Sequence, residues 1–211
     1  MKALPVTFAG SAASPAQFPR DGLPEVALLG RSNVGKSSLL NALAGVRQLA
    51  RVSSTPGRTR LVNFFRVGSE MYLTDLPGYG YARVPAAMQE GWEALITSYL
   101  VGRPSLALCV FLVDLRHDPT ENDEMLRAFL DHHELPYVVA ATKADKLGRG
   151  EATRRCAALG RGLGRGAREV VAVSATTRAG VDQLWMRIRT AAEDCRARHC
   201  GARPDDSYGP E

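Results

Sequence analysis

Gly30-Arg31-Ser32-Asn33-Val34-Gly35-Lys36-Ser37 (GRSNVGKS) lies between the apolar run Glu25 to Leu29 (EVALL) and a stretch, Lys36 to Ala44 (KSSLLNALA), with helical spacing of its leucines. The octapeptide is therefore a turn from a buried strand into a helix, and it satisfies GxxxxGK[S/T] in the setting that gives that pattern meaning. Its glycines let the backbone wrap an anion, successive amides form a nest, and the helix amino end adds its dipole. In such a cradle Lys36 reaches the β and γ phosphates of a nucleotide and the Ser37 hydroxyl reaches Mg²⁺. Ser38 follows as the next residue of the same turn.

Working outward, β-rich runs alternate with helical stretches from Pro24 onward, the pattern of a parallel sheet covered by helices. Strands are expected at Glu25 to Leu29, Leu61 to Val67, Met71 to Thr74, Leu106 to Asp114, Tyr137 to Thr142 and Glu169 to Val173. Gly68 and Ser69 make the second and third an antiparallel hairpin. Helices fit Lys36 to Ala44, Ala86 to Val101, Glu121 to His133, Glu151 to Leu163 and Val181 to Ala197. The expectation is a three-layer α/β fold: a mostly parallel six-stranded sheet, one antiparallel hairpin, and helices on both faces. Residues 1–23 would be an N-terminal extension packing on this domain, 24–197 the domain itself, and 198–211 a flexible tail.

Three further strand ends carry chemistry. Asp75-Leu76-Pro77-Gly78 closes the third strand as DxxG, in which Asp75 would hold Mg²⁺ and the Gly78 amide would sense the γ phosphate. Thr142-Lys143-Ala144-Asp145 closes the fifth as [N/T]KxD. The Asp145 carboxylate can accept two hydrogen bonds from guanine N1 and the exocyclic amine, a donor pair that adenine lacks. Lys143 would lie along the base plane. Val173, Ser174 and Ala175 end the sixth strand, where a backbone amide can meet guanine O6. Ligands at the carboxyl ends of parallel strands follow the general rule for open α/β sheets.

Composition narrows the class. The chain has 211 residues, 45% of them hydrophobic and 23% charged, which excludes a mainly disordered or fibrous protein. Leu106 to Val113 is the longest apolar run, far below the roughly 18 residues a membrane-spanning helix needs. The formal charge is +5, and only Lys2, Lys36, Lys143 and Lys146 among the 27 basic residues are lysines. That arginine excess suits a polyanion such as RNA, and a GC-rich genome writing arginine for lysine accounts for it equally. Cys109, Cys156, Cys195 and Cys200 show no metal-finger spacing, and Pro5 interrupts the weakly signal-like N-terminus. These features indicate a cytoplasmic protein with reduced thiols.

GRSNVGKSS, TPGRT, DLPGYGYA, TKADK and SA, in this order, resemble the EngB (YihA/YsxC) family of bacterial Ras-like GTPases, over about Phe8 to Ala197. The resemblance implies a P-loop G domain and a cytoplasmic GTPase; a monomer is expected. Its implied partner is a precursor of the large ribosomal subunit, with its rRNA and ribosomal proteins, and it implies a requirement in cell division and septation. It also implies that Thr59 ligates Mg²⁺ beside Ser37 and Asp75, and that Gly57, Arg58, Thr59, Arg60 and Leu61 fold over GTP or GDP. Tyr79 follows DLPG where Ras-like enzymes place the glutamine that orients water. Turnover would then be slow, on the order of 10⁻⁴ to 10⁻² s⁻¹. Thr142 replaces the more usual asparagine, which would cost some bonding to the phosphate loop. Asn33 matches the asparagine of GTPases activated by K⁺, and it equally suits a left-handed loop position. Two other readings stay open: a non-enzymatic GTP/GDP-controlled regulator of septum proteins, and a small-molecule kinase, which TKAD disfavours.

Overall fold

The computed structural model describes residues 4–46, 48–49, 61–78, 86–162 and 170–201. Seven strands form one sheet: β1 (Val6–Ala12), β2 (Glu25–Leu29), β3 (Val62–Val67), β4 (Met71–Asp75), β5 (Leu106–Asp114), β6 (Tyr137–Thr142) and β7 (Val170–Ala172). Their spatial order is β1-β3-β4-β2-β5-β6-β7, with β4, β2, β5, β6 and β7 parallel to one another. All nine residues of β5 are buried, as a central strand covered on both faces requires.

The helices are α1 (Lys36–Ala44), α2 (Ala86–Gly102), α3 (Glu121–His132), α4 (Arg149–Gly162) and α5 (Val181–Gly201). They divide by face. Leu39, Leu40 and Leu43 of α1 pack with Leu184 and Ile188 of α5 against Val26, Leu28 and Val110. Leu95 and Tyr99 of α2, Leu130 of α3 and Leu159 of α4 cover Ala27, Leu29 and Phe111 on the other side. Adjacent residues of one strand thus serve opposite layers, the period-two rule of a pleated sheet.

Local chemistry explains the ends. Thr120 caps α3 in a reciprocal box with Asp123, whose carboxylate accepts from the Thr120 amide at 2.8 Å. The last turn of α1 is closed from α5 and the loop before it. Trp185 Nε1 donates to the Leu43 carbonyl at 2.7 Å and Arg178 Nη1 to the Ala42 carbonyl at 2.8 Å. Trp185 thereby ties α5 to the end of α1.

Among the described residues the sheet has seven strands where six were expected; the expected hairpin is β3–β4, and β1 adds a second antiparallel pair on β3. Val6–Ala12 lies in the stretch read as an extension, yet it pairs antiparallel with β3 beside the β3–β4 hairpin. The run VTFAGSA buries only its two end residues fully and leaves Phe8 exposed. No alternation announces it, and pairing with a distant strand decides its conformation. A second unforeseen feature is Glu25, at the opposite end of the sheet from GRSNVGKS. Its buried carboxylate accepts from Tyr99 Oη at 2.8 Å, Ser105 Oγ at 2.8 Å and Arg103 Nε at 2.9 Å. This network ties the C-terminal part of α2 to β2.

Candidate functional site

The phosphate loop leaves β2 and enters α1 as the octapeptide predicts. Gly30 must be glycine, because a Cβ there would stand 2.9 Å from both the Leu112 carbonyl oxygen and Val34 Cγ1. Gly35, at φ 112°, caps α1 in a conformation that favours glycine. Asn33 lies at φ 62° and is exposed, so the loop geometry alone gives a reason for asparagine there. Val34 is buried in the core below.

Lys36 folds back inside the loop, its Nζ donating to the Gly30 carbonyl at 3.1 Å. Burial pushes its pKa down and the charge of Asp75 pulls it back up. Asp75, at the end of β4, is buried, and burial raises its carboxyl to about 6 against the opposing pull of Lys36. Its Oδ1 has no hydrogen-bond partner among the described residues. A buried carboxylate oxygen without a partner beside a phosphate cradle suits a divalent cation, which would supply the missing interaction. Leu76 and Pro77 are buried next to it. Gly78 is then pressed against the loop, since a Cβ on it would lie 2.8 Å from Lys36 Nζ and 3.0 Å from the Ser32 amide nitrogen.

At the other side of the site, Thr142 corrects an expectation. Its hydroxyl is buried and lies 2.8 Å from the Val34 carbonyl that it bonds, so threonine keeps the tie to the phosphate loop. Lys143, at φ 60°, sends Nζ to the Asn33 carbonyl at 2.9 Å and to Asp114 Oδ2 at 2.9 Å. Asp145 accepts from Ser174 Oγ at 2.7 Å. That bond holds its carboxyl below the ordinary range against partial burial, and Lys146 adds to it. The turns after β6 and β7 are joined through the Ala144 amide, which donates to the Val173 carbonyl at 3.2 Å. The Ser174 amide donates to the Ala179 carbonyl at 3.0 Å and so is already engaged; Ala175 follows it in the turn and is half-buried.

Gly30, Arg31, Ser32, Lys36, Ser37, Asp75, Gly78, Thr142, Lys143, Asp145 and Ser174 thus gather at the carboxyl ends of β2, β4, β6 and β7. Leu61 is described just before β3 and is exposed. Gly57, Arg58, Thr59, Arg60 and Tyr79 lie outside the described residues. Sequence reasoning missed Asp114 and Arg116. Asp114 ends β5, between the strands that carry the two loops, and the change from apolar run to carboxylate at that strand end was the available signal. Among the described residues no helix is long and apolar enough to cross a membrane.

A family model described as 50S ribosome-binding GTPase matches residues 25–143. A probable GTP-binding protein EngB from Solibacter usitatus is 47% identical over 193 residues, covering 92% of this chain and 99% of the relative. Its counterpart from Geobacter metallireducens is 44% identical over 188 residues, covering 89% and 92%. The crystal structure of a probable GTP-binding protein EngB superposes with a TM-score of 0.65 at 23% identity, covering 81% of this chain and 99% of that one. With the phosphate loop, the DxxG turn and the TKAD carboxylate placed at one sheet edge, and with relatives this similar over nine-tenths of its length, the chain belongs to the EngB family of GTP-binding proteins and is a GTPase.

Proposed function

We propose that this GTPase is a slow, nucleotide-controlled cytoplasmic factor that binds a precursor of the large ribosomal subunit as a monomer, and that normal division and septation depend on that role. The observation that carries the reading is the site's division of labour. Lys36, folded back into the GRSNVGKS loop, and the Asp145 carboxylate, held by Ser174, lie at the carboxyl ends of one sheet's strands in a chain whose matching family model is described as ribosome-binding.

In this reading Gly30 to Ser38 wrap the phosphates, and Lys36 neutralises charge between the β and γ groups. Asp145 reads the guanine edge, with Lys143 and Ala175 completing the pocket. Ser37, Asp75 and Thr59 would hold Mg²⁺, which supplies charge neutralisation on the phosphate oxygens when bound. Gly78 packs against Lys36 and Ser32, where its amide can report the presence of a γ phosphate. Tyr79 stands where a water-orienting glutamine would speed attack, so chemistry rests on positioning and charge and turnover is slow. K⁺, held in part by the Asn33 side chain, would add charge stabilisation between the β and γ phosphates.

Sedimentation of the protein with large-subunit precursors in GTP and in GDP tests the partner. Co-migration that is stronger with GTP supports the reading. Absence from the particles in both states, with capture of septal proteins instead, refutes it in favour of a division regulator.

A further inference from the structure

We propose that Asp114 is a positioning residue for nucleotide binding, holding Lys143 so that the base-side turn and the phosphate loop act as one unit. The proposal rests on the base-site reading above.

The topology places Asp114 for this task. β5 lies between β2, which feeds the phosphate loop, and β6, which feeds TKAD, and Asp114 is paired in register with Thr142. Its carboxylate is almost fully buried and carries two cations. Arg116 grips it as a fork, Nε to Oδ1 at 3.0 Å and Nη2 to Oδ2 at 2.8 Å, and the Arg116 amide adds a bond to Oδ1 at 3.1 Å. Lys143 Nζ meets Oδ2 at 2.9 Å and, with the same ammonium, the Asn33 carbonyl at 2.9 Å.

A buried ion pair is a poor way to gain stability, because desolvation offsets most of the attraction. Every other residue of β5 is apolar and packs without that cost. The charge at position 114 does something an apolar residue could not: it fixes the direction of the Lys143 ammonium. Burial works against the ionised form, but the bonds from Arg116 and Lys143 outweigh it and keep the carboxyl well below the usual range. Lys143 is thereby set across the gap between the two turns before any nucleotide arrives, and its aliphatic stem is fixed along the way. The planar Arg116 fork sets the orientation of Asp114 in turn, leaving Oδ2 shared between the two cations.

This arrangement separates affinity from base choice. Asp145 reads the donors of the base, and Asp114 touches none of them. Loss of Asp114 should therefore weaken every purine nucleotide together, without altering which purine is preferred.

The experiment follows release of a fluorescent GDP analogue from the full chain, together with competition by GDP and IDP. Asp114→Asn keeps the shape and removes the charge, so release should accelerate about tenfold as a charge-assisted bond is lost, with the GDP-over-IDP preference held within twofold. Arg116→Ala, whose side chain is partly exposed, leaves the Asp114–Lys143 pair and should accelerate release about threefold. Parent-like release from folded Asp114→Asn overturns the proposal. If that variant does not fold, parent-like release from Arg116→Ala overturns it. A collapse of the GDP-over-IDP preference in Asp114→Asn also overturns it, by making Asp114 part of base reading. Asp145→Asn serves as the separate control: if it leaves guanine preference intact, the base-site reading itself fails, whatever Asp114 does.

Discussion

Replacing Thr142 by valine exchanges one hydroxyl for a methyl of nearly the same volume, at a position where the structure leaves little room for compensation. The Thr142 hydroxyl is buried and donates to the Val34 carbonyl at 2.8 Å, with the Val113 carbonyl at 3.2 Å as its only other nearby acceptor among the described residues. Valine cannot donate, and water has no access to take its place, so a carbonyl of the phosphate loop loses a partner. An unsatisfied buried acceptor costs about 1 to 3 kcal/mol. With about 2 kcal/mol lost, Tm of the nucleotide-free chain should fall by roughly 4 to 8 °C at this length. The bond also orders the cradle ahead of binding, so part of the same free energy should appear as weaker nucleotide affinity. A loss of about 1.4 kcal/mol there is tenfold in Kd. Thermal unfolding by circular dichroism and titration with a fluorescent GDP analogue measure the two effects. Thr142→Ser, which keeps the hydroxyl, should recover most of both. Unchanged Tm and unchanged GDP affinity in Thr142→Val would refute the claim that this hydroxyl joins the base turn to the phosphate loop.

Three further outcomes are expected. Hydrolysis at equal ionic strength should be faster in KCl than in NaCl, and Asn33→Ala should abolish the difference; equal rates in both salts for the parent would remove the potassium site. The Asp75 carboxyl, raised to about 6 by burial against the pull of Lys36, binds more protons in the folded than in the unfolded chain across roughly pH 4 to 6. Stability of the nucleotide-free protein should therefore fall as pH rises through that window, by up to about 3 kcal/mol, a slope that Asp75→Asn should lack. The Tm increment from Mg²⁺ with GDP should be larger at pH 7 than at pH 5, where proton and cation compete for the same carboxylate. An increment independent of pH would contradict a metal-binding role for Asp75.

The parts legible in the sequence are those whose physics is local. GRSNVGKS needs glycine where a Cβ would strike the Leu112 carbonyl, and it needs a strand before it and a helix after it. These demands are written in eight consecutive residues. β5 is legible because burial on both faces forces an unbroken apolar run, and α1 because its leucines recur at helical spacing. β1 was not legible: Gly10 and Ser11 carry no strand signal, and only the edge of β3, some fifty residues away, makes them a strand. Thr142 read as a weakened asparagine because the compensating 2.8 Å approach of the Val34 carbonyl depends on β5 bringing the loop after β2 and the end of β6 to the same end of the sheet. Asp114 and Glu25 escaped notice for the same reason. A carboxylate at a strand end looks like ordinary loop polarity until the partners that converge on it, Arg116 and Lys143 in one case and Tyr99, Arg103 and Ser105 in the other, are seen together.

The central claim is that Asp145, held by Ser174 at the end of β6, selects guanine for a hydrolytic site built on Lys36. Steady-state hydrolysis of GTP and XTP by the parent and by Asp145→Asn tests it most directly. The carboxylate-to-amide exchange reverses one donor–acceptor position toward the base. The account predicts that the parent hydrolyses GTP and largely ignores XTP, and that the variant prefers XTP with the chemical step retained. A variant that still prefers GTP with undiminished kcat/KM would contradict it.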